Sequence, residues 1–225
     1  MTRRGTLALA VFLSIAAPGR TQEPDPLRAG GPWIVDSEDR VVILHGVNAS
    51  SGAKRPPFEP DLAEGDPERL ARLGFTVVRL LVFWEAVEPE RDRYDEAYLE
   101  RLAGHVDRLG RAGVRVVLDM HQDLYSRHLF GGDGAPAWAV EKLPFEPRSP
   151  WFANYSAPAV QANFDRFWTS EDLVERFALA WERVARRLGP HPAVIGYDLL
   201  NEPHPGTAAP GAFAVECSTL SRDWV

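Results

Sequence analysis

Val194-Ile195-Gly196-Tyr197-Asp198-Leu199-Leu200-Asn201-Glu202-Pro203-His204 is a short apolar run that breaks off in Asn-Glu-Pro. Its length and its bounding prolines, Pro192 and Pro203, predict a buried strand over Val194 to Leu200. Such a strand delivers Asn201 and Glu202 to its C-terminal lip, and in a parallel α/β barrel that lip is where chemistry is done. An ionisable glutamate directly after an apolar strand is costly unless it has partners or a task. Glu202 is therefore either a working carboxylate or one that caps the next helix or pairs with an arginine.

The segments upstream keep one rhythm. Thr169 to Leu188 is predicted as a helix with Leu173, Phe177, Trp181, Val184 and Leu188 on one face. Thr169 and Asp172 fit a capping box at its start, and Gly189-Pro190 ends it. Val114 to Leu118 is predicted as a strand that ends in the polar Asp119-Met120-His121-Gln122-Asp123. Before it, Asp95 to Ala112 is a helix with Tyr98, Leu102, Val106 and Leu109 along one side and Gly113 as its stop. Thr76 to Val82 is a further strand, interrupted by Arg79. A buried arginine needs an anion, so Arg79 is expected to face a carboxylate inside the sheet's concave side; the alternative is the solvent side of an edge strand.

Asp66-Pro67 suits a helix start, with Asp as N-cap and Pro in the first helical position, and Gly74 suits a left-handed stop after Leu73. Trp33 to Val35 and Val41 to Leu44 form a hairpin-like entry whose second run continues as the first strand of the main sheet, ending at His45-Gly46-Val47-Asn48. Alternation of strand and helix implies an α/β fold with a parallel sheet and right-handed crossovers. His121 to Trp168 shows no regular pattern and is expected to be an insert. It holds Trp138, Trp151, Trp168, Phe145, Phe152 and Tyr155, too many aromatics for a disordered loop. It is either a satellite core or a wall of a binding cleft for sugar rings or a lipid.

Composition narrows the functional classes. The 225 residues are 45% hydrophobic and 25% charged, ordinary for one soluble core. The net charge of −7 with scattered basic residues argues against nucleic acid as a partner. Cys217 is the single cysteine, so no intrachain disulfide can form. Residues 1–17 resemble a secretory signal, with Arg3 and Arg4 ahead of an apolar stretch too short to span a membrane. A leader over 18–32 follows, and 33–225 is the candidate enzyme domain; the expected location is secreted or periplasmic.

Several stretches together resemble glycoside hydrolase family 5, and its endoglycoceramidase-like branch most. They are Phe83-Trp84-Glu85-Ala86-Val87-Glu88-Pro89, Asp119-Met120-His121-Gln122-Asp123-Leu124-Tyr125-Ser126, Gly134-Ala135-Pro136-Ala137-Trp138-Ala139 and Tyr197 to Pro203. The resemblance implies a (β/α)8 TIM barrel, of which this chain supplies roughly the first four βα units. It implies a retaining glycosidase without a cofactor or metal, acting on a glycoside or glycolipid, with membrane-surface contact through a lipid substrate. Glu202 matches the family's acid/base, and Asn201 the residue that holds the sugar 2-hydroxyl. His121, Asp123 and Lys54 match sugar-binding positions, and Arg79 the arginine that steadies the nucleophile. The family's nucleophile is a second glutamate at the end of the seventh strand, and no residue here matches it. A complete barrel takes about 250 residues, so the chain is expected to be the N-terminal half of an enzyme and inactive alone.

Glycoside cleavage with retention needs one protonated and one ionised carboxyl group about 5–5.5 Å apart. Glu202 can be the acid. Glu85, Asp119, Asp123 and Asp198 are candidates for the other role by chemistry alone, with Asp119 and Asp198 better suited to barrel hydrogen bonds. Two other classes compete. His121, Asp123 and His128 could form a metal site, and the chain could be a non-catalytic carbohydrate- or lipid-binding remnant. An endoglucanase-type β-glycanase is the remaining enzymatic alternative.

Overall fold

In the computed structural model, residues 25–208 are described; the predicted signal and the stretch with Cys217 lie outside them. Two short strands, β1 (Arg28–Gly30) and β2 (Trp33–Val35), pair antiparallel as an entry hairpin. The main sheet is parallel, in the order β3 (Gly46–Ala49), β4 (Val77–Val82), β5 (Arg115–Met120), β6 (Val194–Asp198). Helices α1 (Asp66–Arg72), α3 (Glu96–Arg111) and α6 (Glu171–Leu188) make the crossovers, with short helices α2 (Trp84–Val87) and α4 (Arg127–Phe130) after β4 and β5. Consecutive parallel strands joined by helices are the βα units that the alternation predicts. No helix among the described residues is long and apolar enough to cross a membrane.

One face of the sheet packs on the helices. Val78, Leu80, Val116 and Leu118 are fully buried in one core with Leu99, Leu102, Val106 and Leu109 of α3 and Val184 and Leu188 of α6. The Tyr98-Leu102-Val106-Leu109 face of α3 is buried as its spacing predicts. Asp95 caps that helix by accepting from the Tyr98 N–H at 2.9 Å. The opposite face carries polar groups. Register sets Asn48 beside Arg79, and Asp119 beside Asp198, so the side chains that alternate away from the helices collect at one end.

Four local expectations are corrected. The first strand of the main sheet is Gly46–Ala49, not Val41 to Leu44. Val41 only bridges Val35, and Ile43 is 75% exposed. A side chain on Gly46 would fall 2.6 Å from the Val77 carbonyl oxygen; close backbone approach, not apolar content, places the strand there. The region His121 to Trp168, expected to lack regular structure, has it. It contains α4, a 3-10 stretch Trp151–Ser156 and a full helix, α5 (Pro158–Thr169). Pro158 sits in the first turn of α5, where its missing N–H costs nothing, and Val160, Asn163, Phe164 and Phe167 are buried at helical spacing.

The start of α6 moves accordingly. Thr169 ends α5, its hydroxyl turned back to the Asp165 carbonyl, and Ser170 caps α6 by accepting from the Leu173 N–H. At α1 the cap position is Gly65, and Asp66 is the first helical residue, its carboxylate accepting from the Ala63 N–H at 2.9 Å. Gly74 takes the left-handed conformation expected of it, at φ +85°.

Candidate active site

The C-terminal ends of β3 to β6 gather the residues singled out in the sequence. Arg79, mid-strand in β4, points to the acidic side of the sheet. Its Nε and Nη2 donate to Asp198 Oδ2 at 3.0 and 2.6 Å, and Nη2 also donates to Asn201 Oδ1 at 3.0 Å. Asp119, wholly buried, lies 2.9 Å from the same Nη2 as an ion pair. The arginine therefore has the carboxylates that its burial demanded. It also fixes the Asn201 amide: with Oδ1 held by Arg79, the Asn201 Nδ2 donates to the Gln122 carbonyl at 2.9 Å.

Gln122 completes that lock. Its Nε2 donates to the backbone carbonyls of Asn201 and Glu202 at 2.7 and 2.9 Å. Glu202 itself is exposed and has a left-handed backbone, φ +43°. Its Oε2 accepts from the Tyr155 hydroxyl at 2.9 Å. A non-glycine residue at positive φ is held there only when its surroundings demand it, and such residues cluster at functional sites.

A second knot lies beside the first. His121 Nδ1 is 2.7 Å from Asp119 Oδ2, and Nε2 is 3.7 Å from Asp123 Oδ2. Lys54, from the loop after β3, forms an ion pair with the same Asp123 oxygen. Asp123 and Asp133 exchange backbone hydrogen bonds at 3.2 and 2.9 Å, which brings the Asp133 carboxyl under the pair. Burial raises the Asp119 carboxyl above its ordinary range, against the opposing pull of His121. Burial alone would lower His121, but Asp119 and Asp123 outweigh it and push the imidazole up to about 9. Burial likewise opposes ionisation of Asp123, yet His121 and Lys54 hold its carboxyl below the usual value. At Asp133 the same cations are outweighed: burial, then the Asp123 charge, push it up to about 7 against His121 and Lys54.

Among the described residues, the ligand atoms of His121, Asp123 and Asp133 lie within 4.8 Å of one another, a spacing that a metal ion could use. Lys54 already occupies Asp123, and the imidazole holds its proton to about 9. Metal would have to displace both cations, so the chemistry of the donor set fits a polar ligand better. His128 takes no part in this group, contrary to the His121–Asp123–His128 alternative. It sits 3.3 Å from Glu85 Oε2, next to the Arg127 Nε at 2.6 Å. That pairing makes Glu85, 5% exposed, a structural partner of α4.

All six residues matched by resemblance are thus gathered at one sheet end: Lys54, Arg79, His121, Asp123, Asn201 and Glu202. Sequence reasoning missed Asp133, Tyr155 and the role of Gln122. The Gln122 signal was present, since it lies inside the polar strand end. The aromatics of the insert divide. Trp138 is half-buried against Trp84, with ring centroids 5.3 Å apart, and its Nε1 donates to the Glu88 carbonyl. Trp168 Nε1 donates to the His204 carbonyl at 2.8 Å. Trp151 and Phe152 remain 46% and 54% exposed. A small cavity of about 20 Å³, near one water in size, lies behind the site between Trp84, His121, Tyr125 and Phe167.

A parallel βα array with a glutamate at the lip of its fourth strand is the arrangement of a barrel glycosidase, and the chain belongs to glycosyl hydrolase family 5. The cellulase (glycosyl hydrolase family 5) family model matches residues 37–221. Within that family, the chain is 38% identical over 202 residues to endoglycoceramidase I of Rhodococcus hoagii, covering 88% of this chain and 41% of that protein. Glucosylceramidase of Rhizopus delemar is 27% identical over 246 residues, covering 80% of this chain and 36% of its own length. The solved structure of endo-glycoceramidase II from Rhodococcus sp. in complex with ganglioside GM3 superposes with a TM-score of 0.72 at 38% identity, over 80% of this chain and 45% of that one. The chain therefore spans less than half the length of these relatives.

Proposed function

We propose that this chain carries the acid/base part of a retaining glycosidase that cleaves O-glycosyl bonds of glycosphingolipids or related β-glucosides. The observation that carries the reading is Glu202 at the lip of β6, with its neighbour Asn201 locked by Arg79 and Gln122. Similarity to an endoglycoceramidase and to a ganglioside-bound relative supports the glycolipid class. Glu202 protonates the leaving oxygen, then removes a proton from the water that completes the reaction. The Asn201 amide binds the sugar 2-hydroxyl, a contact that strengthens in the transition state. Lys54, His121 and Asp123 form a charged donor–acceptor cluster suited to sugar hydroxyls.

The attacking carboxylate comes from outside residues 25–208 in this reading. Asp119 and Asp198 are tied to Arg79, Asp123 to Lys54 and Glu85 to Arg127. The 225-residue chain assayed alone is then expected to give no turnover. A lipid substrate would bring it to a membrane surface, and its predicted signal to the secreted or periplasmic space. The family model's own description favours a second reading, a cellulase-type β-glycanase; a panel of cello-oligosaccharides against glycosphingolipids separates the two.

Glu202→Gln tests the assignment in the turnover-competent enzyme, this chain joined by the segment with the second carboxylate. Cleavage of alkyl glucosides, whose leaving groups need a proton, should fall by about a hundredfold or more. Dinitrophenyl glucosides should lose far less in the first step. Near-normal rates on both would remove Glu202 from the role.

A further inference from the structure

The stretch over residues 136–170, ahead of α6, contributes no residue to the chemistry above, yet it reaches the reacting carboxyl group directly. Tyr155 lies in the 3-10 stretch Trp151–Ser156 and is 1% exposed. Its hydroxyl donates to Glu202 Oε2 at 2.9 Å. A phenol has one proton to give. In the 2.9 Å contact that proton is directed at Glu202.

The same segment fastens the chain beyond Glu202. The Tyr155 ring stacks on His204 at 5.8 Å and 17°, and Phe164 of α5 packs on the other partner at 5.4 Å. Trp168 Nε1 holds the His204 carbonyl. Asp165 accepts from the Thr207 N–H and hydroxyl, each at 2.8 Å. The insert thus holds residues 202–207 by ring stacking and backbone contacts, and reaches the Glu202 side chain through the Tyr155 hydroxyl.

We propose that Tyr155 is the positioning residue of the acid/base, holding Glu202 Oε2 as an acceptor so that the catalytic proton is carried and delivered on Oε1. The proposal rests on Glu202 being the acid. In the first step the Oε1–H bond breaks as the glycosidic oxygen takes the proton, and the C–O bond to the sugar cleaves as the attacking carboxylate, from outside residues 25–208 in this reading, bonds to the anomeric carbon. Glu202 is left ionised, and the Tyr155 hydrogen bond becomes charge-assisted. That bond strengthens along the reaction coordinate, so it favours the transition state over the ground state. In the second step the ionised Oε1 takes a proton from the incoming water as its oxygen bonds to the anomeric carbon and the sugar–carboxylate bond breaks.

Tyr155→Phe removes the hydroxyl and keeps the ring on His204. In the turnover-competent enzyme, kcat for alkyl glucosides should fall about tenfold with little change in KM. Rates on dinitrophenyl glucosides should stay within about twofold. An equal fall on both substrates would mean a packing role and overturn the proposal. A second readout on this chain needs no turnover. Tyr155→Phe should lower Tm by about 2–4 °C in the native background and by much less when Glu202 is already Ala. Equal Tm losses in the two backgrounds would show that the contact contributes nothing, and would also overturn it. Coupled melting, together with a Glu202→Gln enzyme indifferent to leaving group, would refute the acid assignment itself and the proposal with it, while leaving the contact intact.

Discussion

Asp133→Asn isolates one buried charge beneath the sugar-binding cluster. Asp133 is 2% exposed, and its Oδ1 has no hydrogen-bond partner among the described residues. Burial, then the neighbouring Asp123 carboxylate, push its pKa from the ordinary 3.8 up to about 7, against the pull of His121 and Lys54. In the unfolded chain the proton leaves near the ordinary value; in the native state it stays on until about 7. Between those values the native state binds more protons than the unfolded one. Stability therefore falls as pH rises through the window and levels off above it. About three pH units at about 1.4 kcal/mol each make on the order of 4 kcal/mol. Asparagine keeps the shape and does not titrate. Urea unfolding of both proteins at pH 5, 6, 7 and 8, followed by tryptophan fluorescence, should show the variant gaining on the native chain up to about pH 7 and then running parallel. Most other titrations cancel in that difference. Parallel curves across the whole range would mean that Asp133 ionises freely in the fold, and would refute the reasoning.

Arg79→Met should cost about 3 kcal/mol, because it leaves Asp198 without its cation and buried Asp119 with His121 alone; adding Asp119→Asn should recover part of that loss, and additive losses in urea unfolding would contradict the pairing. Trp138→Ala should destabilise by about 3 kcal/mol, since its ring packs on Trp84 and its Nε1 holds the Glu88 carbonyl. Trp151→Ala, at an exposed site, should change stability by about 0.5 kcal/mol. Glycolipid hydrolysis falling more than aryl glucoside hydrolysis in Trp151→Ala would place that ring at the aglycone, whereas equal melting losses in the two variants would contradict the division of the aromatics.

The strands and helices of the main sheet were legible wherever local sequence and burial agree. α3 shows this best: Asp95, the Tyr98 to Leu109 face and Gly113 each act within one or two helical turns. Legibility failed where an apolar run and a burial site part company, as at Val41 to Leu44, or where a helix hides among glycines, prolines and aromatics, as at α5. There the apolar spacing was present, but without the flanking contrast that marks an amphipathic helix on a solvated surface.

Sequence by itself determined the chemical vocabulary of the site. Asn201-Glu202 after an apolar run, Arg79 within a strand, and His121 with Asp123 after another are local patterns, and each names a residue type that burial makes expensive. Only the tertiary structure decided how they combine. Asn48 meets Arg79 through strand register, and Lys54 meets Asp123 across 69 residues of chain. Tyr155 reaches Glu202 across 47. Asp133 becomes a buried carboxyl beside His121 and Asp123 because two backbone hydrogen bonds to Asp123 draw it under the sheet end. Hydrogen bonds and desolvation act over a few ångströms of space without regard to sequence separation, so the partners of Glu202 and the ionisation of Asp133 exist only once the chain is folded.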